Sequence, residues 1–189
     1  MTYSRNPYSY FYLAFIAFAS WILVNLTDVD NNNNKLIPPH SPDFFSTGYT
    51  KWEMGATGLP NTQLYAEKIV HYSDDHTTDM DKPLIFLHQE KQPPWLIQSE
   101  SGTVSADSKN IFLKGKVVID RDKFDNVKAL KINTSNLKVR PETHFAETDA
   151  WAELVSPPHK TTGTGMKLVF KQPIRIELLS HVQGKYETQ

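Results

Sequence analysis

The sequence contains no cysteine. Disulfides, thiolate metal sites, cysteine nucleophiles and acyl anchors on cysteine are therefore excluded. The compartment stays open, because an exported protein can also lack cysteine. An excess of one charge is missing too. Twenty Lys and Arg against 21 Asp and Glu leave a formal charge of −1 over 189 residues, so no overall basic field gathers nucleic acid. There is no Gly-x-Ser-x-Gly elbow, and Gly163-Thr164-Gly165 lacks the rest of a phosphate loop or dinucleotide fingerprint and reads instead as a turn or bulge before the Met166 strand. These absences leave an enzymatic reading without positive support. No long stretch of helical period follows the N-terminal region either.

One apolar run stands out. Tyr10 to Leu26 is 17 residues without a charge. As a helix it spans ~25 Å, the short end of the range for crossing a bilayer. Tyr8, Tyr10 and Tyr12 at one end and Trp21 near the other suit the interfacial preference of aromatic rings. Arg5 precedes the run and Asp28 and Asp30 follow it, which places the N-terminus in the cytoplasm and the remainder across the membrane. A cleaved signal is the alternative, since Ala17-Phe18-Ala19 resembles a cleavage site. Trp21 to Val24 stays apolar beyond it, which favours an uncleaved anchor. The expected organisation is a cytoplasmic start over 1–9, a transmembrane helix over 10–26, a linker over 27–48 and a β domain over 49–189. The linker reading rests on Asn31 to Asn34, Pro38-Pro39 and Ser41-Pro42.

Beyond the linker the period is two. Ile174-Arg175-Ile176-Glu177-Leu178 alternates apolar and charged, and Met166, Leu168 and Phe170 share one side. Ile111, Leu113, Val117 and Ile119 share a face, with Gly115 between them as a bulge or bend. Further strands are expected near Leu64–Ile69, Pro83–His88, Trp95–Ser99, Thr103–Ala106, Ala129–Asn133, Asn136–Arg140 and Thr148–Val155. Polar breaks separate them, among them Ser73-Asp74-Asp75, Asp107-Ser108-Lys109-Asn110 and Pro157-Pro158. The pattern is all-β: an antiparallel meander, sandwich or jelly roll.

His71 to Asp81 holds two His and four Asp in eleven residues. Their spacing fits no metal motif, and a polar hairpin accounts for them. Asn133-Thr134-Ser135 fits a glycosylation triplet but lies in strand-like sequence. The apolar bulk, including Trp52, Trp95, Trp151, Phe86, Phe112 and Phe170, serves either a closed core or a lined groove for acyl chains.

Several elements in order resemble the LptC family of lipopolysaccharide export. They are the N-terminal anchor, Tyr65-Ala66-Glu67-Lys68-Ile69-Val70-His71-Tyr72-Ser73-Asp74, and Asp81-Lys82-Pro83-Leu84. Trp95 ahead of the Ile97 strand, Ala106-Asp107 before Leu113-x-Gly115-x-Val117, Glu147-Thr148-Asp149-Ala150 and Gly163-x-Gly165-Met166-Lys167-Leu168 complete the set. The resemblance implies a twisted antiparallel β-jelly-roll with an open hydrophobic groove in the periplasm, behind a single N-terminal transmembrane helix. It implies no enzyme activity and no cofactor. Its implied partners are lipopolysaccharide, the inner-membrane transporter subunits LptB, LptF and LptG, and the periplasmic bridge LptA.

On that reading the lipid-facing set is Tyr49, Met80, Leu84, Phe86, Ile97, Leu113, Val117, Ile119 and Leu168. Met80 suits varied chains because its thioether is flexible. The last strand is the expected handover edge, with Ile174, Ile176, Leu178 and Tyr186 as contact residues. Ala14, Ala17 and Ala19 give the anchor a small-residue side for packing on other helices. Two other classes fit the pattern: an anchored β scaffold or chaperone binding protein, and a glycan-binding or hydrolytic β domain carrying an exposed aromatic row.

Overall fold

Alternation of apolar and polar residues makes a strand amphipathic across its two faces, and most strands of this chain use that pattern to bury one face. The computed structural model describes residues 8–27, 40–89, 92–125 and 127–186. The chain divides into two compact units, 1–38 and 39–189. The first contains helix α1, Tyr8–Thr27. The second contains β1 Pro42–Met54, β2 Pro60–Tyr72, β3 Thr78–Asp81, β4 Leu84–Gln89, β5 Gln92–Val104, β6 Ile111–Arg121, β7 Leu130–Arg140, β8 Phe145–Ser156, β9 His159–Val169 and β10 Arg175–Lys185.

Leu13, Ala14, Ala17, Ala19 and Leu23 are strong helix formers, and no Gly or Pro interrupts α1. Asn25 Nδ2 donates to the Trp21 carbonyl at 2.9 Å, four residues back. The expected apolar segment is thus helical, but its apolarity is lower than expected. Tyr8, Tyr10, Tyr12, Ser9, Ser20 and Asn25 dilute it, and among the described residues no helix is long and apolar enough to cross a membrane. Arg5, Asp28 and Asp30, on which the expected orientation rests, lie outside the described residues.

The strands form one antiparallel sheet in chain order, with β3 and β4 sharing the place between β2 and β5. β1 pairs only with β2 and β10 only with β9 among the described residues, so the sheet ends on two edges and does not close. One face is apolar from β2 to β9. Leu64, Ala66, Ile85, Leu87, Trp95, Ile97, Leu113, Val117, Ile119, Ile132, Leu137, Val139, Met166 and Leu168 belong to a single buried cluster. At one corner Trp95 meets Phe170 edge-on, ring centroids 5.3 Å apart, and the Arg121 guanidinium sits 4.5 Å from the Trp95 ring. Burial there pushes the Arg121 pKa down.

Bulges recur in mid-strand. Gly115 (φ 73°) adds a residue to β6 against both neighbours, and its N–H donates to Asn136 Oδ1 at 3.2 Å. β8 carries an extra residue between Thr148 and Trp151, and β10 another between Ser180 and Gln183. A bulge raises local twist, and the repeated ones bend neighbouring strands together.

The structure corrects four boundaries. Residues 42–48 belong to β1, so the expected linker ends sooner. The segments at Trp95–Ser99 and Thr103 are one strand, β5, which ends at Val104, short of the expected Ala106; Gly102 inside it leaves needed space, since a Cβ would lie 3.1 Å from Leu113 Cδ2 and 3.2 Å from Met80 Cε. The segments around Asn133 and Asn136 are likewise one strand, β7. Gly163 and Gly165 lie within β9 and do not precede it. The polar turns after Tyr72, at Asp107-Ser108 and at Pro157-Pro158 fall where expected.

Candidate functional site

The inner face opens at the β1 side of the sheet. There Tyr49, Lys51 and Glu53 of β1 lie opposite Ala66, Leu64 and Thr62 of β2 in register and so share their inward face. With Leu64, Ile69, Met80, Val104 and Ile111 they line a mostly apolar cavity of about 180 Å³. Lys51 and Glu53 pair across its rim at 2.6 Å. Both keep contact with water, which makes the pair a weak contributor to stability but a polar marker at the mouth.

The sequence-expected lipid set divides three ways. Tyr49 and Met80 line this cavity. Ile97, Leu113, Val117, Ile119 and Leu168 share the same inner face but are sealed, each no more than 1% exposed. They form closed core, so the expected open groove is not continuous here. Leu84 and Phe86 are corrected: they point to the outer face, and Ile85 and Leu87 point inward at 0% exposure. All four are apolar, so this stretch has no alternation of its own. Its facing follows from pairing Ile85 with Leu64 and Ile97. Cavity residues Leu64, Ile69, Val104 and Ile111 were missed. Leu64 and Ile69 lie five residues apart on β2, so simple alternation assigns them to opposite faces; the strand brings both inward by breaking its alternation at Glu67–Lys68.

At the other edge, Ile174, Ile176 and Leu178 pack partly buried against the core. They are therefore side chains of the inner face, and what β10 offers outward is its backbone edge. Ile174 precedes the strand, and Tyr186 follows it, 72% exposed, with its ring 5.6 Å from that of His159.

The polar hairpin between β2 and β3 holds one cluster with ligand-type atoms. His40, Asp74 and Asp75 approach within 4.8 Å of one another, and all are exposed. Hydrogen bonds from the Thr77 hydroxyl and N–H hold the Asp75 carboxyl below its ordinary pKa, and His40 adds to this. The cluster is satisfied by the turn itself: the His40 N–H donates to Asp74 at 2.6 Å and its ring stacks on Tyr72 at 3.8 Å.

An unclosed sheet with one apolar face, two edge strands and a small apolar mouth suits transient shelter of apolar chains. A search of the curated proteins finds no match. The family model described as lipopolysaccharide-assembly, LptC-related, matches residues 12–187, which takes in α1 from its second turn and all ten strands. That span places the chain, in general terms, in lipopolysaccharide transport: it belongs to the LptC family.

Proposed function

We propose that the chain shelters the acyl chains of lipopolysaccharide on the inner face of its sheet and passes them on. It receives them from an ATP-driven extractor of LptB, LptF and LptG, and delivers them to LptA. The observation that carries this reading is the unclosed sheet, whose apolar face runs from β2 to β9 between two edge strands. A methylene kept from water is worth ~0.8 kcal/mol, so even partial cover of a chain favours transit through such a face. The standing cavity is smaller than the ~300–1,000 Å³ of ordinary ligand pockets, so transit requires the inner face to open wider than it stands here. The sugar headgroup stays in water outside the apolar face.

Two further parts belong to the proposal. Helix α1 holds the chain at the inner membrane with the β unit on the periplasmic side. Phe11, Phe15, Phe18 and Trp21 are each more than half exposed, a surface costly in water. The β10 edge adds a strand of LptA to the sheet and joins the two apolar faces.

The test is a photoreactive residue at Met80, and at Leu64, in cells exporting lipopolysaccharide, with Lys138 on the outer face as control. Adducts at the two inner positions only are expected. Adducts at none of them in folded protein, or equally at Lys138, would sink the reading.

A further inference from the structure

A second cleft lies on the other side of the β1–β2 turn, away from the apolar mouth. It has a volume of about 540 Å³, within the usual range for small-molecule sites. Asn61, His88, Gln89, Gln92, His144 and Lys171 contribute to its wall. Among the described residues lining it there is no Asp or Glu. Its described residues therefore present a cation, two imidazoles and several amides to whatever enters, a set that complements an anion carrying hydroxyls. The walls come from distant parts of the chain, and the Gln89 side-chain amide ties them by donating to the Phe170 carbonyl.

His88 connects this cleft to the outer face of the sheet. Its ring lies 6.5 Å from Trp52 and 6.3 Å from Phe86, with planes within 16° of each. Register explains the row: Trp52 of β1 and Phe86 of β4 both oppose Gln63 of β2 on its outward face, and His88 follows Phe86 by two. Trp52 is 50% exposed. Near-parallel rings with an open face attract the C–H side of a pyranose, whose hydrogens meet the negative ring face. His88 Nε2 is buried without a hydrogen bond.

We infer that this corner is a binding site for a phosphorylated sugar, the ring resting beside Trp52 and the phosphate directed to Lys171 and the histidines. The inference does not depend on acyl chains entering the interior. Trp52 and Phe86 face outward, away from the apolar cavity, and the cleft shares no lining residue with it.

The experiment uses the full chain in detergent and titrates glucose 1-phosphate, glucose and inorganic phosphate by calorimetry. Saturable binding of glucose 1-phosphate is expected, with each separate fragment weaker by about tenfold or more. Trp52→Ala and Lys171→Gln are each expected to weaken it by about tenfold. Both side chains are exposed, and unfolding midpoints check that the variants fold; Gln92→Ala serves as a third probe. Absence of saturation, inorganic phosphate binding as tightly as the sugar phosphate, or unchanged affinity in the variants would each overturn the assignment. Displacement by a detergent-dispersed glycolipid with a phosphorylated headgroup supports the site and identifies a lipid headgroup as its source; sugar phosphate binding without that displacement supports it with a free sugar as the source.

Discussion

Replacing Gly115 by Ala tests the bulge that bends β6. Two effects compete. The backbone sits at φ 73°, where an L-residue pays roughly 1–2 kcal/mol, while Ala recovers about 0.4–1 kcal/mol by restricting the unfolded chain. A Cβ there would also stand 2.7 Å from Glu100 Oε2. That contact is cheap to relieve, because it involves the far end of an exposed, flexible side chain. The backbone term therefore decides the outcome, and a net loss of about 1 kcal/mol is expected. Urea unfolding of the full chain in detergent reads this as a lower midpoint at unchanged slope. Glu100→Ala in the Gly115→Ala background separates the causes. It is expected to restore less than about 0.5 kcal/mol, the size of ordinary surface substitutions. Full rescue would mean that the steric contact dominates, and an unchanged midpoint in Gly115→Ala would mean the bulge does not require glycine; either result refutes the reasoning.

Trp95→Ala removes a fully buried ring held against Phe170 and Arg121, and a loss of about 3–5 kcal/mol is expected in the same assay; a loss below about 1 kcal/mol would show that the corner is not packed as described. Hydrogen bonds from Lys160, then from Asn133, hold the Glu153 pKa below its ordinary 4.5. A lowered pKa adds stability that is present above the unfolded value and lost as pH falls through the folded one, so Glu153→Gln should flatten the acid limb below about pH 4.5, and an unchanged limb would contradict this. Arginine at Ala17 costs about 2.5–3.5 kcal/mol at a membrane centre, and is expected to shift the chain into the alkaline-extractable fraction; full retention would argue against α1 as the anchor. Deleting the chain from Gly184 onward is expected to reduce capture of LptA while moving the unfolding midpoint by less than about 0.5 kcal/mol, and undiminished capture would remove β10 from the handover.

Much of the sheet is legible in the sequence because a half-buried strand must alternate. Ile111, Leu113, Val117 and Ile119 keep one parity through Gly115, and all four are buried. Legibility fails where a residue's reason is spatial. Gly102 reads as a break, yet it lies inside β5 because Met80 and Leu113 leave no room for a side chain. Leu84 to Leu87 is apolar at every position, and only its partners decide its facing. The cavity was hidden for a related reason. Its rim includes Lys51 and Glu53, charges on an inward face, which nothing in their own neighbourhood announces. The corner cleft unites residues from 55 to 172 and has no linear signature.

The order of strands in the sheet follows their order in the chain, and no strand pairs with one more than two places before it. When the chain emerges from its N-terminus, each strand finds a partner already present and none waits for a distant segment. The loop closed at each step is short, and its entropy cost stays nearly constant along the chain. For an all-β domain this is a favourable arrangement: the growing edge is the place where the next strand adds, and it is covered as soon as that strand appears.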